Sequence, residues 1–258
     1  MDEQLIFGRN AVMEALKADT PIDHIFVTSM TGSLGAICKE AKKRGIVVKT
    51  TDNRKLDLMC GGGNHQGVAA QGACASYATV ADILAVSAKK GTAPFLVLCD
   101  GIEDPHNLGA ILRTAEAAGA DGVVLPKRRS ASLTQTVFKT SAGAASWIPV
   151  ARVGNLATEM IALKKQGIWF FGADMDGQPA TQTDMTGAVG IVIGSEGFGI
   201  SAPVRAQCDG ILSLPMFGKI NSLNASVAAG ILLYEAVRQR GIQAAQSSTQ
   251  RGAAGETL

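Results

Sequence analysis

Metal-binding and disulfide chemistry are scarce in this chain of 258 residues. It has three histidines and five cysteines, the cysteines are scattered and odd in number, and no Cys-x-x-Cys pair occurs. Such a composition argues against a zinc site and against a disulfide framework, and it is typical of a reducing compartment. The sequence therefore predicts a protein without a metal site.

Long hydrophobic runs and a strong charge of either sign are also missing. The uncharged, apolar-leaning run at residues 222–234 is too short to span a bilayer. The start, Met1–Gln4, has no basic region before an apolar core, so no signal peptide is predicted. We therefore expect a cytoplasmic protein without a membrane partner. The formal net charge is only +2, so any contact with nucleic acid has to come from local basic patches.

Apolar residues and glycine are abundant, at 47% and 30 residues, which suits an α/β protein with a full core and short turns. From Phe95 onward, strand patterns alternate with helix patterns as in a parallel α/β sheet. Phe95–Cys99 is apolar throughout, as is typical of a strand covered on both faces. The expected division is a small α/β domain, a linker, a main domain and a disordered tail, at residues 1–73, 74–93, 94–242 and 243–258.

Two polar clusters follow predicted strand ends, where open α/β sheets bind ligands. The first contains Asn107 and Arg113, the only basic residue on a helix of small and apolar residues. The second is a glycine-rich turn around Glu196, whose spacing differs from the GxGxxG fingerprint of dinucleotide folds. Ordinary structural roles exist for each: a helix cap for Asn107, a side chain reaching water for Arg113, and an exposed acidic turn for Glu196.

A third cluster, Leu214–Glu235, joins a strand end to a loop rich in serine and asparagine and then to an apolar helix. Because the helix is apolar nearly all round, we expect it to be buried. Its Gly230 predicts that another backbone comes close, since glycine costs about 1 kcal/mol in a helix. We expect Ser226 to cap the helix. The apolar residues at helical spacing are Val227, Ile231, Tyr234 and Val237.

Together the three clusters resemble the three motifs of the SpoU (TrmH-type) family of SPOUT RNA methyltransferases. The matching segments are Asn107–Ala115, Ile193–Gly199, Leu214–Met216 and Ser222–Ala228. The resemblance covers Phe95 to Arg240 and is specific, because three spaced motifs occur in order; Ala225 stands where the family often has valine. It implies a parallel-sheet α/β domain with a trefoil knot, a homodimer, and S-adenosylmethionine as methyl donor with no metal.

The same resemblance implies roles for individual residues. The catalytic set would be Asn107, Arg113, Glu196, Ser222 and Asn224. The residues that line the methyl donor would be Gly194, Leu214, Met216 and Leu223. The implied reaction is methylation of a ribose 2′-hydroxyl, with a guanosine of 23S ribosomal RNA as the nearest match.

The first domain resembles the ribosomal-protein-like RNA-binding domain of the bacterial ribosomal branch of this family. Phe7–Val12 and His65–Gly67 are the similar segments, and they imply that Arg9 contacts RNA. In the main domain, the basic patch closest to the site is Lys127, Arg128 and Arg129, which follows a predicted strand. A phosphate contact and a solvated turn are both compatible with that patch.

The role of Arg113 stays open between a proton acceptor, as the family is proposed to use it, and an electrostatic group. A guanidinium remains protonated in proteins, which favours phosphate binding and stabilisation of negative charge on the hydroxyl oxygen. Alternative functions are a tRNA 2′-O-methyltransferase, an adenosine-specific ribosomal RNA enzyme of the same family, and a non-catalytic RNA-binding module. A nucleotide-binding α/β enzyme is disfavoured because phosphate-loop and dinucleotide fingerprints are missing.

Overall fold

The structure is a computed structural model that describes residues 5–255, with side chains described for residues 5–241. It forms two compact units. One contains residues up to Ser76 together with Ser132–Gln135, and the other contains Tyr77–Ala131 and the residues from Thr136 on. Much of the expected linker therefore belongs to the second unit. The domain limits given above stay a prediction.

The first unit is a four-stranded sheet with three α-helices. Its elements are β1 (Leu5–Phe7), α1 (Arg9–Lys17), β2 (Ile22–Val27), α2 (Gly35–Lys43), β3 (Val47–Thr50), α3 (Asn53–Met59) and β4 (Val68–Gly72), with a 3₁₀ turn at Gly32–Leu34. The strand order is β1-β4-β2-β3, in which β4 is antiparallel to both neighbours and β2 is parallel to β3. The short β1 and α3 were not predicted, because so few residues show no clear periodicity.

The second unit is built on a six-stranded sheet in which every pairing is parallel. Its strands are β5 (Phe95–Asp100), β6 (Gly122–Pro126), β7 (Val150–Val153), β8 (Trp169–Pro179), β9 (Val189–Gly194) and β10 (Gly210–Ser213). Its helices are α4 (Val80–Lys90), α5 (Pro105–Ala117), α6 (Gln135–Thr140), α7 (Leu156–Lys164), α8 (Ala202–Arg205) and α9 (Ala225–Gly255). The order is β10-β8-β9-β5-β6-β7, so the predicted parallel α/β fold is confirmed.

The core of the second unit lies around its central strands. All residues of Phe95–Cys99 are buried, as the continuous apolar pattern predicted. Leu96 and Leu98 pack with Phe170 of β8, with Val192 of β9 and with residues of α7. Because the carboxyl ends of parallel strands meet at one edge, this arrangement brings the loops after β5, β9 and β10 to the same side of the sheet.

The pairing between β8 and β10 is interrupted by a register shift partway along β8. Gly172 pairs with Ile211 of β10, but the next β10 residue, Leu212, pairs with Gln178. Residues 173–177 therefore form an excursion, called here the β8 bulge. Gly177 closes the bulge against β10, since a Cβ there would lie 2.4 Å from the Ile211 carbonyl oxygen.

Helix α9 differs from its prediction in burial. Leu232, Leu233 and Ala236 are fully buried, whereas Val227, Ile231 and Tyr234 are 49%, 46% and 52% exposed, although full burial was expected. The expectation was wrong because an apolar pattern does not say whether a face is covered by the same chain. Gly230 also has room within this chain, since a Cβ would meet Thr114 Cγ2 at 3.6 Å, an ordinary contact.

The end of α9 also departs from expectation. A disordered tail was predicted from residue 243, but the backbone is helical to Gly255. Residues 256–258 of that predicted tail lie outside the described range. Alanine and glutamine, which are frequent in this segment, are good helix formers.

Candidate functional site

A cavity of about 700 Å³ opens at the carboxyl ends of β9 and β10 in the second unit. Its walls come from the β8 bulge, the loop after β9, the loop after β10 and the start of α9. The cavity is lined by all four residues predicted to bind a cofactor and by three predicted catalytic residues: Gly194, Leu214, Met216, Leu223, Glu196, Ser222 and Asn224. These residues come from two sequence clusters, which the fold brings together.

The loop after β9 is a tight turn that brings Glu196 to the cavity. Ser195 N donates to Gly199 O at 3.0 Å and Gly199 N donates back to Ser195 O at 2.9 Å. Gly197, between them, has a φ of 87°, which side chains disfavour. A Cβ on Gly194 would lie 2.2 Å from the Gly199 carbonyl carbon, so only glycine fits at this position.

The Asn224 side chain joins all three clusters. Its Nδ2 donates to Asn107 Oδ1 at 2.9 Å, across 117 sequence positions, and to Glu196 Oε1 at 2.5 Å. A primary amide has two N–H donors, and both are used here. Asn107 is buried in α5 with 7% exposure, so one end of this network is fixed in the protein interior. Of the predicted catalytic residues, Asn107, Glu196 and Asn224 are thus in direct contact, a set called here the amide cluster.

Helix capping differs from what the sequence suggested. Asn224 caps α9, because its Oδ1 accepts from Ser226 N at 2.9 Å and from Val227 N at 3.3 Å. Ser226, the predicted cap, instead donates its hydroxyl to the same oxygen at 2.6 Å. In α5, Asp104 is the cap and accepts from His106 N at 3.0 Å. Asn107 is thereby freed from the capping role and lies inside the first turn.

Arg113 lies apart from the amide cluster. It follows Asn107 on α5, roughly 9 Å further along the helix axis at about 1.5 Å per residue. Its side chain is exposed, and it does not line the cavity. Among the described side chains it has neither an ion pair nor a hydrogen bond. The structure therefore does not bring Arg113 into the site within one chain.

The predicted RNA-contact residues of the second unit follow β6, which pairs with β5 beside the cavity-bearing strands. Arg128 and Arg129 are exposed, and Arg129 has a φ of 55°. Lys127 is half-buried, and its carbonyl oxygen accepts from Arg152 Nη2 at 3.1 Å. The patch thus lies at the carboxyl edge of the sheet, the edge that also bears the cavity.

Arg9, the predicted RNA contact of the first unit, is exposed at the start of α1. Its Nε donates to Gln66 O at 3.1 Å, and its backbone N donates to Gln66 Oε1 at 3.1 Å. The adjacent His65 is buried, with Nε2 at 3.0 Å from Asp57 Oδ1 and Nδ1 accepting from Gly67 N at 3.0 Å. Arg9 and the glycine-rich loop before Gly67 are therefore one hydrogen-bonded surface.

The sequence interpretation missed the β8 bulge, from which Asp174 and Met175 also line the cavity. Arg205 of α8 contacts the Asp174 carboxylate and donates to both Asp176 oxygens at 2.8 Å. The Arg205 guanidinium holds the pKa of Asp176 below its usual range. A signal was available in the sequence, because two carboxylates and a glycine directly follow the apolar, strand-like residues 168–171.

Within the part of the chain that the structure describes, no group of three or more histidine, cysteine, aspartate or glutamate side chains is placed to hold a metal ion. Nor does that part contain a helix with the length and apolarity needed to cross a membrane.

Comparison with known proteins gives two family matches. The model of the SpoU rRNA Methylase family matches residues 94–234, and the model for RNA 2′-O ribose methyltransferase substrate binding matches residues 5–78. A putative TrmH family tRNA/rRNA methyltransferase, YacO of Bacillus subtilis, is 45% identical over 91% of this chain and 95% of its own length. An uncharacterized tRNA/rRNA methyltransferase of Synechocystis is also 45% identical, over 92% of this chain and 63% of its own length.

Solved structures show the same similarity. The SpoU methyltransferase AviRb from Streptomyces viridochromogenes, in complex with the cofactor AdoMet, aligns with a TM-score of 0.58 and 26% identity. The alignment covers 92% of this chain and 89% of that one. A putative RNA methyltransferase of the TrmH family from Porphyromonas gingivalis aligns with a TM-score of 0.56 and 26% identity, over 91% and 89% of the two chains.

Proposed function

Because this chain belongs to the SpoU family of RNA methyltransferases, which use S-adenosylmethionine, we propose that it methylates the ribose 2′-hydroxyl of a guanosine in 23S ribosomal RNA. The observation on which the proposal depends most is the amide cluster, in which Glu196 and Asn224 line the 700 Å³ cavity. It joins an apolar cavity, suited to the methyl donor, to polar groups suited to a ribose. We assign the activity to the cytoplasm.

The cavity fits the methyl donor in size and in chemistry. Ligand pockets for molecules of this size are about 300–1,000 Å³ and mostly apolar with a few polar groups. Here Leu214, Met216 and Leu223 supply apolar surface, and Gly194 leaves its backbone accessible. We propose that these four residues hold S-adenosylmethionine, whose sulfonium supplies an electrophilic methyl group.

The amide cluster is suited to hold the acceptor ribose. With both Asn224 donors occupied, Asn107 keeps its own Nδ2 donor and Glu196 keeps Oε2 as an acceptor. We propose that these atoms, together with the Ser222 hydroxyl, bind the ribose and align its 2′-oxygen. In-line displacement depends strongly on such alignment, which can supply about 7–11 kcal/mol of the barrier.

Arg113 is proposed to bind the phosphate beside the acceptor ribose and to stabilise negative charge as it develops on the 2′-oxygen. Its exposed guanidinium has no ion pair among the described side chains, so it is free to take a phosphate. Because a guanidinium does not lose its proton, we assign it an electrostatic role rather than that of a base.

We further propose that the protein is a homodimer, with the exposed apolar stripe of α9 as its interface. The stripe consists of Val227, Ile231 and Tyr234, each near half exposed, and it begins directly beside the amide cluster. Helix α9 packs on α5, so an interface along the stripe would bring a second copy close to Arg113. That geometry would let one copy supply Arg113 near the site of the other.

We assign a trefoil knot to the loops after β9 and β10, as the family resemblance implies. Both loops line the same cavity. The loop after β9 is tied back to the end of β5, because Ser201 N donates to Asp100 Oδ2 at 2.7 Å. Such a tie is compatible with one loop passing behind the other.

RNA contacts are proposed at two places. Lys127, Arg128 and Arg129 would bind phosphates near the site, and Arg9 would bind RNA from the first unit, whose family match is a substrate-binding domain. A second candidate substrate is tRNA, which the names of the relatives and a structural neighbour concerned with 2-OH methylation of C/U34 on tRNA both favour. Specific RNA readers favour unpaired loops, which both substrates contain.

One experiment tests the function. The protein is incubated with methyl-labelled S-adenosylmethionine and either 23S ribosomal RNA transcribed without modifications or unmodified tRNA, and the labelled nucleotide is mapped. The proposal expects label at the 2′-oxygen of one guanosine in the 23S pool. Label in the tRNA pool alone would show that the substrate is tRNA and not 23S ribosomal RNA. Label on an adenosine would show that the proposed guanosine is the wrong nucleotide. Label in neither pool would favour a non-catalytic RNA-binding module.

A further inference from the structure

The β8 bulge brings a carboxylate into the cavity that none of the three sequence clusters contains. Asp174 lines the cavity together with its neighbours Ala173 and Met175. It lies next to the turn after β9, because a Cβ on Gly199 would come within 3.8 Å of Asp174 Oδ2. The excursion of β8 therefore puts a charged side chain in the wall of the proposed cofactor site.

Asp174 is held from two sides. Its Oδ1 accepts from Met175 N at 2.7 Å, and its Oδ2 is bound by Arg205 Nη1. Arg205 is itself fixed by Asp176, both of whose oxygens accept from Nη2 at 2.8 Å. A carboxylate offers about four lone-pair positions, so two of those on Asp174 are left for a ligand. The carboxylate is thus oriented before any ligand arrives.

The neighbouring cation indicates what kind of donor this carboxylate would take. A sulfonium or an ammonium group gains most from a carboxylate whose charge is not already neutralised. The Asp174 charge is shared with Arg205, which makes its free lone pairs better suited to neutral hydroxyl donors. The methyl donor carries one pair of adjacent hydroxyls, on its adenosine ribose.

We propose that Asp174, positioned by Arg205, accepts hydrogen bonds from the ribose hydroxyls of the bound methyl donor. The proposal rests on the proposed cofactor site and adds a polar contact that fixes the adenosine end. In this proposal Arg205 acts only as a positioning residue. Asp174 would make the site select ribose over deoxyribose ligands.

Asp176 offers a matched control. It lies on the same bulge, binds the same guanidinium and is 66% exposed, but it does not line the cavity. Asp174→Ala and Asp176→Ala each remove one carboxylate from Arg205, and only the first removes the group that faces the ligand. Asp174→Asn is a second variant that keeps the side-chain shape. Circular dichroism and thermal melting compare the folding of all three with the parent protein.

The test is calorimetric titration with 5′-methylthioadenosine and its 2′-deoxy and 3′-deoxy analogues, which lack the amino-acid part of the methyl donor. The parent protein and Asp176→Ala are expected to bind the ribose ligand about tenfold or more tightly than at least one deoxy analogue. Asp174→Ala is expected to bind the ribose ligand about tenfold more weakly and to lose most of that discrimination. Asp174→Asn is expected to fall in between.

The outcomes separate this inference from the function on which it rests. If the parent protein binds neither S-adenosylmethionine nor 5′-methylthioadenosine, the proposed cofactor site fails and this inference fails with it. If the parent protein binds both but Asp174→Ala discriminates like Asp176→Ala, only the ribose contact is overturned. If Asp174→Ala weakens S-adenosylmethionine but leaves 5′-methylthioadenosine unchanged, the carboxylate faces the amino-acid part, which also overturns it.

Discussion

Two residues of α5, Asn107 and Arg113, show two ways in which a protein prepares polar groups. Asn107 is 7% exposed and bound to the Asn224 amide at 2.9 Å. Arg113 is exposed and has no ion pair among the described side chains. The first belongs to a network completed inside one chain. The second is a charge that no described side chain pairs with, so it is available to a phosphate of the RNA or to a second copy.

Asn107 is ordered before the substrate binds, whereas Arg113 gains its interaction only on binding. A completed hydrogen-bond network orders its members before the substrate binds, which lowers the entropy lost in the reaction. An unpaired guanidinium on the surface stays hydrated and gains its interaction only when a phosphate arrives. Changes at the two residues should therefore affect different measurable quantities.

The largest effect is expected for Arg113→Ala. Removing a group that stabilises charge in a transition state typically lowers kcat by about 10²–10³-fold. Binding of S-adenosylmethionine should be unchanged, because Arg113 does not line the cavity. Single-turnover methylation and calorimetry measure the two quantities separately. A variant that turns over like the parent protein would remove Arg113 from the reaction.

Arg113→Lys gives the matched control for that comparison. It keeps the positive charge but not the planar fork that binds a phosphate through two hydrogen bonds. We expect it to recover only part of the lost rate. Full recovery would mean that charge alone suffices, and the bidentate phosphate contact would be abandoned.

Asn224 tests the other half of the comparison, through a pair of substitutions. Serine can cap α9 as asparagine does, whereas alanine cannot, so Asn224→Ala should be about 1 kcal/mol less stable than Asn224→Ser. Neither retains the Nδ2 donors that bind Asn107 and Glu196, so both should lose about a hundredfold in kcat through misalignment. Chemical denaturation and methylation assays measure the two effects.

Equal activity of Asn224→Ser and the parent protein would show that the Asn224 amide is only a cap. The amide network would then have no part in aligning the acceptor ribose, and Asn107 would not be a pre-organised catalytic group in contrast to Arg113. A loss of activity in proportion to the loss of stability would lead to the same conclusion.

The two faces of α9 extend the comparison to packing. Leu233 is fully buried, so Leu233→Ala should cost about 2–5 kcal/mol of unfolding free energy at any protein concentration.

Ile231 is 46% exposed, and Ile231→Glu should leave the fold intact but convert a dimer into monomers. Sedimentation velocity at micromolar concentration measures the second effect. A parent protein that is already monomeric there would contradict the proposed interface.

The sequence predicted the parts of this molecule that depend on local pattern. The buried strand Phe95–Cys99 could be recognised from unbroken apolar character, since only a strand covered on both faces tolerates it. The contact between Asn107 and Asn224 could not, because it depends on the order of strands between them. Only the family resemblance grouped those two residues in advance.

The failures have physical reasons of the same kind. Helix α9 was expected to be buried because its composition is apolar, but composition does not distinguish the face of Leu233 from the face of Ile231. The β8 bulge was missed because the strand pattern was not followed past its apolar residues, and the length of the excursion is visible only in the register with β10. Asp174 could therefore be assigned to the site from the strand pairing and not from a sequence motif.

The smallest expected effect is at Gly230, between the two faces of α9. A Cβ there would meet Thr114 Cγ2 at 3.6 Å, so within one chain Gly230→Ala should raise the unfolding free energy by about 0.5–1 kcal/mol through helix propensity. Denaturant titration measures this in the Ile231→Glu background, where the chain is expected to be monomeric. If the same substitution destabilises the parent protein but stabilises that background, the glycine serves a close approach between two copies. Stabilisation in both would mean that no second backbone comes near Gly230, and α9 would then meet its partner through the side chains of its exposed stripe alone.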